Sequence, residues 1–227
     1  SGCVPKADFY ASDRILCNGN STTFHDVSFN APVVSRLWEF EGGVPATSTE
    51  LNPIVNYSTE GWHTVKLTVT NENGSNTKIF ENYLNVSKSD AIYDATYFAD
   101  FNDETSTKQD WIFYNKYPDD REWKWRSSNG YWNSGCVWLN SRYGPDLETD
   151  IIISPAFDLA LNLTDNVFFK YATTSYGVGE VDYTMSLKIY YSINCGDTWV
   201  YMNKLTGAEL ISSYGGSSDF YPQYPDQ

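Results

Sequence analysis

The feature that most constrains the fold of this chain is an alternation of apolar and polar side chains over residues 62–70. Val65, Leu67 and Val69 recur at every second position, with polar residues between them. A period of two is the period of a β-strand with one buried face. The Asn73-Gly74 pair that follows is typical of a hairpin turn, and it predicts a partner strand over 77–86.

Strands of the same kind recur in the second half of the chain. Residues 185–193 alternate apolar and polar side chains, and residues 167–171 form a shorter aromatic-rich run. Helical periodicity does not persist long enough anywhere to predict a helix of several turns. Short strands separated by Gly, Asn, Asp and Ser favour sandwiches over a parallel α/β sheet, so we predict an all-β fold.

Charge divides the chain into two regions. The 227 residues carry 15 Lys and Arg against 29 Asp and Glu, a net charge of −14, of which residues 1–88 contribute −3 and residues 89–227 contribute −11. We therefore predict one domain over 1–88, a linker over 89–95 and a second domain over 96–227. An acidic surface repels nucleic-acid phosphates, and the chain has no apolar run of about 20 residues, so we expect neither a nucleic-acid partner nor a membrane span.

The four cysteines favour an extracellular protein. Cys3 and Cys17 fall in the first predicted domain, Cys136 and Cys195 fall in the second, and none has C-x-x-C spacing. We predict one disulfide in each domain, Cys3–Cys17 and Cys136–Cys195, and hence secretion or display at the cell surface. Four buried free thiols are the alternative.

Four motifs of the first domain occur together in one known family. They are F-x-D-x-S at 24–28, W-x-F-x-G-G at 38–43, N-P-x-V-x-Y at 52–57 and the G-x-Y-x-V-x-L-x-V pattern at 61–69, with His63 at the Tyr position. Together they resemble a PKD (polycystic kidney disease) repeat, which is an Ig-like β-sandwich. The resemblance implies that Trp38 is buried between two sheets and that the domain is an extracellular spacer or adhesion module.

The loop after the tryptophan motif resembles a particular group of PKD repeats. Residues 42–49 read G-G-V-P-A-T-S-T. This wording is similar to the PKD repeats of secreted Bacteroidetes-type proteins, where the repeat often follows a pappalysin-like zinc metalloprotease domain. By analogy, the parent of this chain is expected to be such a multidomain protein.

The second domain has two distinctive stretches. Residues 152–159 read I-I-S-P-A-F-D-L, and residues 192–199 read S-I-N-C-G-D-T-W. They resemble the choice-of-anchor J or cleaved-adhesin domains, which are jelly-roll β-sandwiches of MAM-like shape. Such domains continue to closing strands that this sequence lacks. We therefore expect an excerpt of a longer protein, in which the remainder of the same chain or another chain completes the jelly roll.

Few residues are suited to catalysis. The only histidines, His25 and His63, fall on predicted PKD strands and outside any H-E-x-x-H motif, so neither a zinc protease nor a histidine-activated nucleophile is expected here. A glycosidase needs only two carboxylates, but no acidic pair falls in a motif that identifies one. We predict that this chain is not an enzyme and carries no organic cofactor.

An acidic stretch of the second domain is a candidate calcium site. Asp100 and Asn102 share one face of a predicted strand, Asp103 follows directly, and Asp182 precedes a later strand. Ca²⁺ takes six to eight oxygen ligands, and MAM-like jelly rolls commonly hold a structural calcium near the first strand. A solvated acidic turn is the alternative interpretation.

Tryptophans of the second domain are a candidate ligand platform. Trp123 and Trp125 alternate with Lys124 on one predicted strand, and Trp132 follows. Exposed coplanar indoles would stack on sugar rings, as on other jelly rolls. The alternative, which we favour, is that tryptophans two residues apart face the sandwich core.

These observations predict a non-catalytic accessory region of a secreted or cell-surface bacterial protein. Its role would be that of a spacer, an adhesion module or a substrate-targeting module, with a protein or glycan as ligand. Two alternatives stay open. The chain could be a segment of a secreted zinc metalloprotease whose catalytic domain lies upstream of residue 1, or its jelly roll could be glycan-binding.

Overall fold

A computed structural model describes residues 2–88, 92–94, 96–115, 122–130, 134–139, 149–158, 167–175, 186–211 and 213–214. The chain forms two compact units. The first consists of Ser1–Asp90 with Tyr191–Val200, and the second of Ala91–Tyr190 with Tyr201–Gln227. The two units are described separately below.

The first unit is a β-sandwich of two sheets. One sheet has the strand order β1-β3-β7-β5, and the other has the order β2-β9-β8-β4-β6. Neighbouring strands are antiparallel, except that β2 runs parallel to β9. The nine strands are β1 (Phe9–Ala11), β2 (Ile15–Leu16), β3 (Ser21–Asp26), β4 (Ser35–Phe40), β5 (Gly43–Val44), β6 (Thr47–Ser48), β7 (Ile54–Tyr57), β8 (Gly61–Asn71) and β9 (Gly74–Val86).

The two longest strands of this unit, β8 and β9, form a hairpin. Asn71 pairs with Gly74 across the two-residue turn, so the hairpin predicted from the Asn-Gly pair is confirmed. Gly74 has a φ of 146°, in the region that favours glycine. A bulge interrupts the pairing between His63 and Val65, and Asn82 opposite it has a φ of 50°.

Aromatic side chains fill the space between the two sheets. Trp38 is fully buried, as the PKD resemblance implies, and its Nε1 donates to the carbonyl oxygen of Glu50 at 2.9 Å. Its ring lies 5.2 Å from that of Phe9, 5.9 Å from Phe24 and 5.7 Å from Phe40. Val65, Leu67 and Val69 of β8 are also fully buried, because alternation directs them to this interior. The predicted Ig-like sandwich is confirmed.

The described part of the second unit consists mainly of two-stranded ladders. They pair β10 with β15, β11 with β14, β12 with β13, β16 with β19, and β17 with β18. The elements are β10 (Ile92–Tyr93), α1 (Glu104–Asp110), β11 (Ile112–Asn115), β12 (Lys124–Arg126), β13 (Cys136–Trp138), β14 (Asp150–Ile153), β15 (Ala156–Phe157), β16 (Thr174–Ser175), β17 (Ser186–Tyr191), β18 (Val200–Thr206), a 3₁₀ helix (Gly207–Glu209) and β19 (Ser213–Tyr214).

The all-β class is confirmed, and the jelly-roll topology of the second unit stays a prediction. The strand predicted over 167–171 is wrong, because these residues join no ladder and Phe168 is 88% exposed. A β-forming composition favours an extended chain, but a strand also needs a partner to take its hydrogen bonds. Among the described helices, none is long and apolar enough to cross a membrane.

Candidate functional site

The disulfide of this protein differs from both predicted pairings. Cys17 is bonded to Cys195, with 5.2 Å between their Cα atoms. Both predicted pairs, Cys3–Cys17 and Cys136–Cys195, are therefore wrong. Cys195 lies in Tyr191–Val200, which belongs to the first unit, and its turn is also held there by Asn20 Nδ2, which donates to the Asp197 carboxylate at 3.1 and 3.2 Å.

The strand order explains why Cys3 does not reach Cys17. The Cys3 carbonyl accepts from Asn71 Nδ2 at the turn of the β8–β9 hairpin, whereas Leu16 pairs with Val86 at the other end of β9. At about 3.3 Å per residue, the ends of this strand are on the order of 40 Å apart, and a disulfide needs Cα atoms within about 7 Å. Cys3 and Cys17 are close in sequence, but they lie near opposite ends of β9, so their closeness in sequence did not predict the disulfide.

The other two cysteines are free thiols. Cys3 is exposed and Cys136 is half-buried on β13. Cys136 Sγ donates to the Ser128 carbonyl at 3.3 Å. Burial raises the pKa of Cys136, although the nearby Arg126 opposes the shift, so this thiol is a poor nucleophile at neutral pH.

The two histidines lie in different environments of the first unit. His25 Nε2 is 3.0 Å from Ser12 Oγ, and its ring stacks on Tyr10 with 4.6 Å between centroids. His63 is buried, and its Nε2 contacts the Thr59 carbonyl at 2.6 Å, so it supports the packing of β8.

The acidic residues predicted to hold calcium are engaged in hydrogen bonds within the chain. Asp100 accepts from the backbone and side-chain amides of Asn102, and Asn102 Oδ1 accepts from the Gly135 amide at 2.9 Å. Asp103 is the N-cap of α1, where its Oδ1 accepts from the Ser106 amide at 2.8 Å. Backbone amides or a side-chain amide thus donate to oxygens of all three residues.

Asp182, the fourth predicted ligand, lies outside the described residues. Across the described ranges, no group of three or more His, Cys, Asp or Glu side chains could hold a metal ion. The calcium site stays a prediction. Melting with and without a chelator tests it, and an unchanged melting temperature would count against it.

The predicted tryptophan platform is half-buried where it is described. Trp125 Nε1 donates to the Phe101 carbonyl at 2.7 Å, and Trp123 Nε1 donates to the Asp150 carbonyl at 3.2 Å. These bonds fix the orientation of both indoles relative to the backbone. Trp132 lies outside the described residues, and the platform itself stays a prediction.

A different aromatic surface lies on the β17–β18 sheet. The rings of Tyr190 and Tyr201 are 5.7 Å apart at an interplanar angle of 74°. They are 44% and 55% exposed, respectively. Alternation places Lys188 on the same face as Tyr190, and Asn203 on the same face as Tyr201. We call these four residues the tyrosine face.

Sequence reasoning did not find the tyrosine face, although a signal was present. In the alternating stretch 185–193, Leu187 and Ile189 take the apolar positions and are half-buried, whereas Lys188 and Tyr190 take the polar ones and are exposed. A tyrosine at a position that the pattern assigns to solvent was the available clue. Because its contact with Tyr201 crosses between strands, the pairing could not be read from one stretch alone.

Comparisons with known proteins place residues 6–83 in a family. The family model of the PKD domain matches residues 6–83. The crystal structure of the PKD1 domain of Vibrio anguillarum Epp is 28% identical and covers 38% of this chain and 99% of that chain, with a TM-score of 0.32. The PKD1 domain from Vibrio cholerae metalloprotease PrtV is 30% identical and covers 38% of this chain and 100% of that chain, also with a TM-score of 0.32.

A solved structure of carbohydrate-binding modules from the β-sandwich superfamily is 18% identical, with a TM-score of 0.35, and covers 60% of this chain and 53% of that chain. The search of curated proteins gave no match.

Proposed function

Residues 6–83 belong to the PKD family, and from that premise we propose that the chain is a non-catalytic accessory region of a secreted or cell-surface protein. Its role is to attach that protein to a macromolecular ligand, with the PKD domain as spacer and the second unit as the binding part. The family match carries the proposal. A sandwich whose interior is filled by large aromatic side chains such as Trp38, Phe9 and Phe24 suits a rigid spacer.

The disulfide supports the extracellular part of the proposal. Cys17–Cys195 closes a loop across 178 residues, and such bonds persist in oxidising compartments. The net charge of −14 keeps the chain soluble and disfavours nucleic acid as the ligand.

Retention on insoluble polymers tests this function. The full chain is applied to cellulose, chitin, collagen and mucin-coated beads, next to an unrelated protein of similar isoelectric point. We expect retention of the chain alone on at least one matrix, with no release of soluble sugars or peptides. Absence of retention on every matrix would overturn attachment as the role, and release of product would overturn the non-catalytic part.

The metalloprotease alternative stays a prediction about the parent protein. It requires an H-E-x-x-H motif in the gene upstream of the codon for residue 1, because two histidines one helical turn apart bind zinc. A gene that encodes no such motif would end that alternative without affecting the attachment role.

A further inference from the structure

We propose that the tyrosine face, formed by Lys188, Tyr190, Tyr201 and Asn203, binds a neutral polysaccharide. The inference deepens the proposed function, on which it rests, by naming the surface and the class of ligand. Two tyrosines that remain about half exposed while touching each other leave apolar surface in water. Contiguous exposed aromatic surface of this kind is a candidate binding site.

The ring geometry suits a sugar. Because the interplanar angle is 74°, one ring presents its edge to the face of the other. The two rings thus form a corner in which the apolar face of a pyranose can lie on one ring while its rim contacts the other. Aromatic rings give large contact area at low cost in side-chain entropy, since they have only two rotatable bonds.

Hydrogen-bonding groups border this corner. Ser192–Trp199 is too short for a parallel crossover, so β17 and β18 run antiparallel, and the tyrosine contact places Lys188 across from Asn203. Lys188 lies about 7 Å along β17 from Tyr190, and Asn203 lies about 7 Å along β18 from Tyr201. The Asn203 side-chain oxygen accepts from the Lys204 amide at 2.8 Å, which leaves the Asn203 NH₂ group to donate to a ligand.

The net charge of the chain favours a neutral glycan over an anionic one. The tyrosine face carries one ammonium group and no carboxylate, within a chain of net charge −14. A polyanionic glycan such as a polyuronate is repelled by the rest of the chain, beyond what a single lysine offsets. A neutral polysaccharide meets no such repulsion, and its hydroxyls can accept from Lys188 and Asn203.

Affinity electrophoresis of the full chain tests the proposal. Native gels contain mixed-linkage β-glucan, galactomannan or xylan as neutral probes, and polygalacturonate as the anionic probe. The variants are Tyr190→Ala and Tyr201→Ala. Tyr10→Ala is the matched control, because Tyr10 is a half-exposed tyrosine on a sheet of the first unit, where it stacks on His25. Melting curves check that each variant is folded.

We expect at least one neutral polysaccharide to slow the wild-type chain. Loss of either tyrosine of the face should weaken this retention by about fivefold or more, and Tyr10→Ala should leave it unchanged. If the alanine variants unfold, the double variant Lys188→Ala/Asn203→Ala decides, because it keeps both rings. Weakened retention of that variant supports the proposal, and wild-type retention overturns it.

Other outcomes separate this inference from the proposed function. Retention by polygalacturonate alone, or by protein matrices alone, would overturn the inference and leave attachment intact. The same holds if Trp123→Ala abolishes glycan retention while both tyrosine variants bind like wild type. Retention on no matrix of any kind would overturn both.

Discussion

The two units of this chain are built in different ways. Of the fifteen buried hydrophobic residues among those described, fourteen form one cluster in the first unit, and the remaining one is Leu210. The described elements of the second unit are short ladders and one capped helix, and many of their aromatic side chains are exposed. The first unit therefore depends on contacts between residues distant in sequence. The described second-unit elements form separate two-stranded ladders that share no such cluster, and several of their aromatic rings are exposed.

The largest expected effect lies in the core of the first unit. Trp38→Ala removes a fully buried indole and its hydrogen bond to Glu50, and should destabilise this unit by about 3–5 kcal/mol. Urea denaturation followed by circular dichroism measures the change. Leu37→Ala is the control, because Leu37 precedes Trp38 on the same strand but is 43% exposed, so its loss should cost well under half as much. Equal losses would contradict the picture of a single packed interior.

The disulfide should give the second largest effect. Cys195→Ser opens a loop closed across 178 residues and should cost about 2–5 kcal/mol. The control is Cys3→Ser, which removes an exposed free thiol and should change the melting temperature little. A reductant should lower the wild-type melting temperature to that of Cys195→Ser and leave the variant itself unchanged. A wild-type protein insensitive to reductant would contradict the Cys17–Cys195 assignment.

The same contrast explains what could be predicted from sequence. Alternation over 62–70 and the Asn73-Gly74 turn identify β8, β9 and their hairpin, because a period of two and a turn are local properties. The PKD motifs then supply the long-range partners, including the burial of Trp38. The disulfide was missed because Cys195 meets Cys17 only through the tertiary fold.

In the second unit no strong motif supplied the long-range partners. The predicted strand over 167–171 has the composition of a strand, but composition alone does not provide a pairing partner. Asp103 caps α1, a position that aspartate favours, and its role as a calcium ligand stays a prediction. Tyr190 and Tyr201 meet only across the hairpin. Local patterns thus predicted individual elements of this unit but not the side-chain contacts between them.

A buried hydroxyl allows a sharper test of the first unit. Tyr57 is fully buried, and its hydroxyl has no hydrogen-bond partner among the described residues. Burial, with a smaller contribution from the Glu41 carboxylate, raises the pKa of Tyr57, so the hydroxyl stays neutral. Tyr57→Phe should therefore leave the free energy of unfolding unchanged or raise it by about 1 kcal/mol. Urea denaturation measures it.

The matched control for Tyr57 is Tyr83→Phe. The Tyr83 hydroxyl accepts from the Ala11 amide at 2.9 Å, so its removal leaves a donor unsatisfied and should cost about 1–3 kcal/mol. If both variants lose stability equally, the Tyr57 hydroxyl must bond to an internal water. The interior of the first unit would then be less completely packed than the contrast between the two units implies.

The smallest expected effect concerns a local contact of the second unit. Hydrogen bonds from Ser106, first from its backbone amide, hold the pKa of Asp103 below its ordinary value. A carboxyl whose pKa is lowered by folding stabilises the fold above its unfolded pKa of about 3.9, and that stabilisation is lost as the pH falls through the lower folded value. Hydrogen exchange of the Ser106 amide, corrected for its intrinsic pH dependence, should therefore show protection that declines only below about pH 4.

Two variants separate the charge of Asp103 from its role as a cap. Asp103→Asn keeps an oxygen that accepts from the Ser106 amide but does not titrate, so protection should become independent of pH. Asp103→Ala removes the acceptor and should lower protection at every pH. In both variants the unfolding of the first unit should be unchanged, because the cap acts within α1 alone. A loss of stability in the first unit would show that the effect of this cap is not confined to α1.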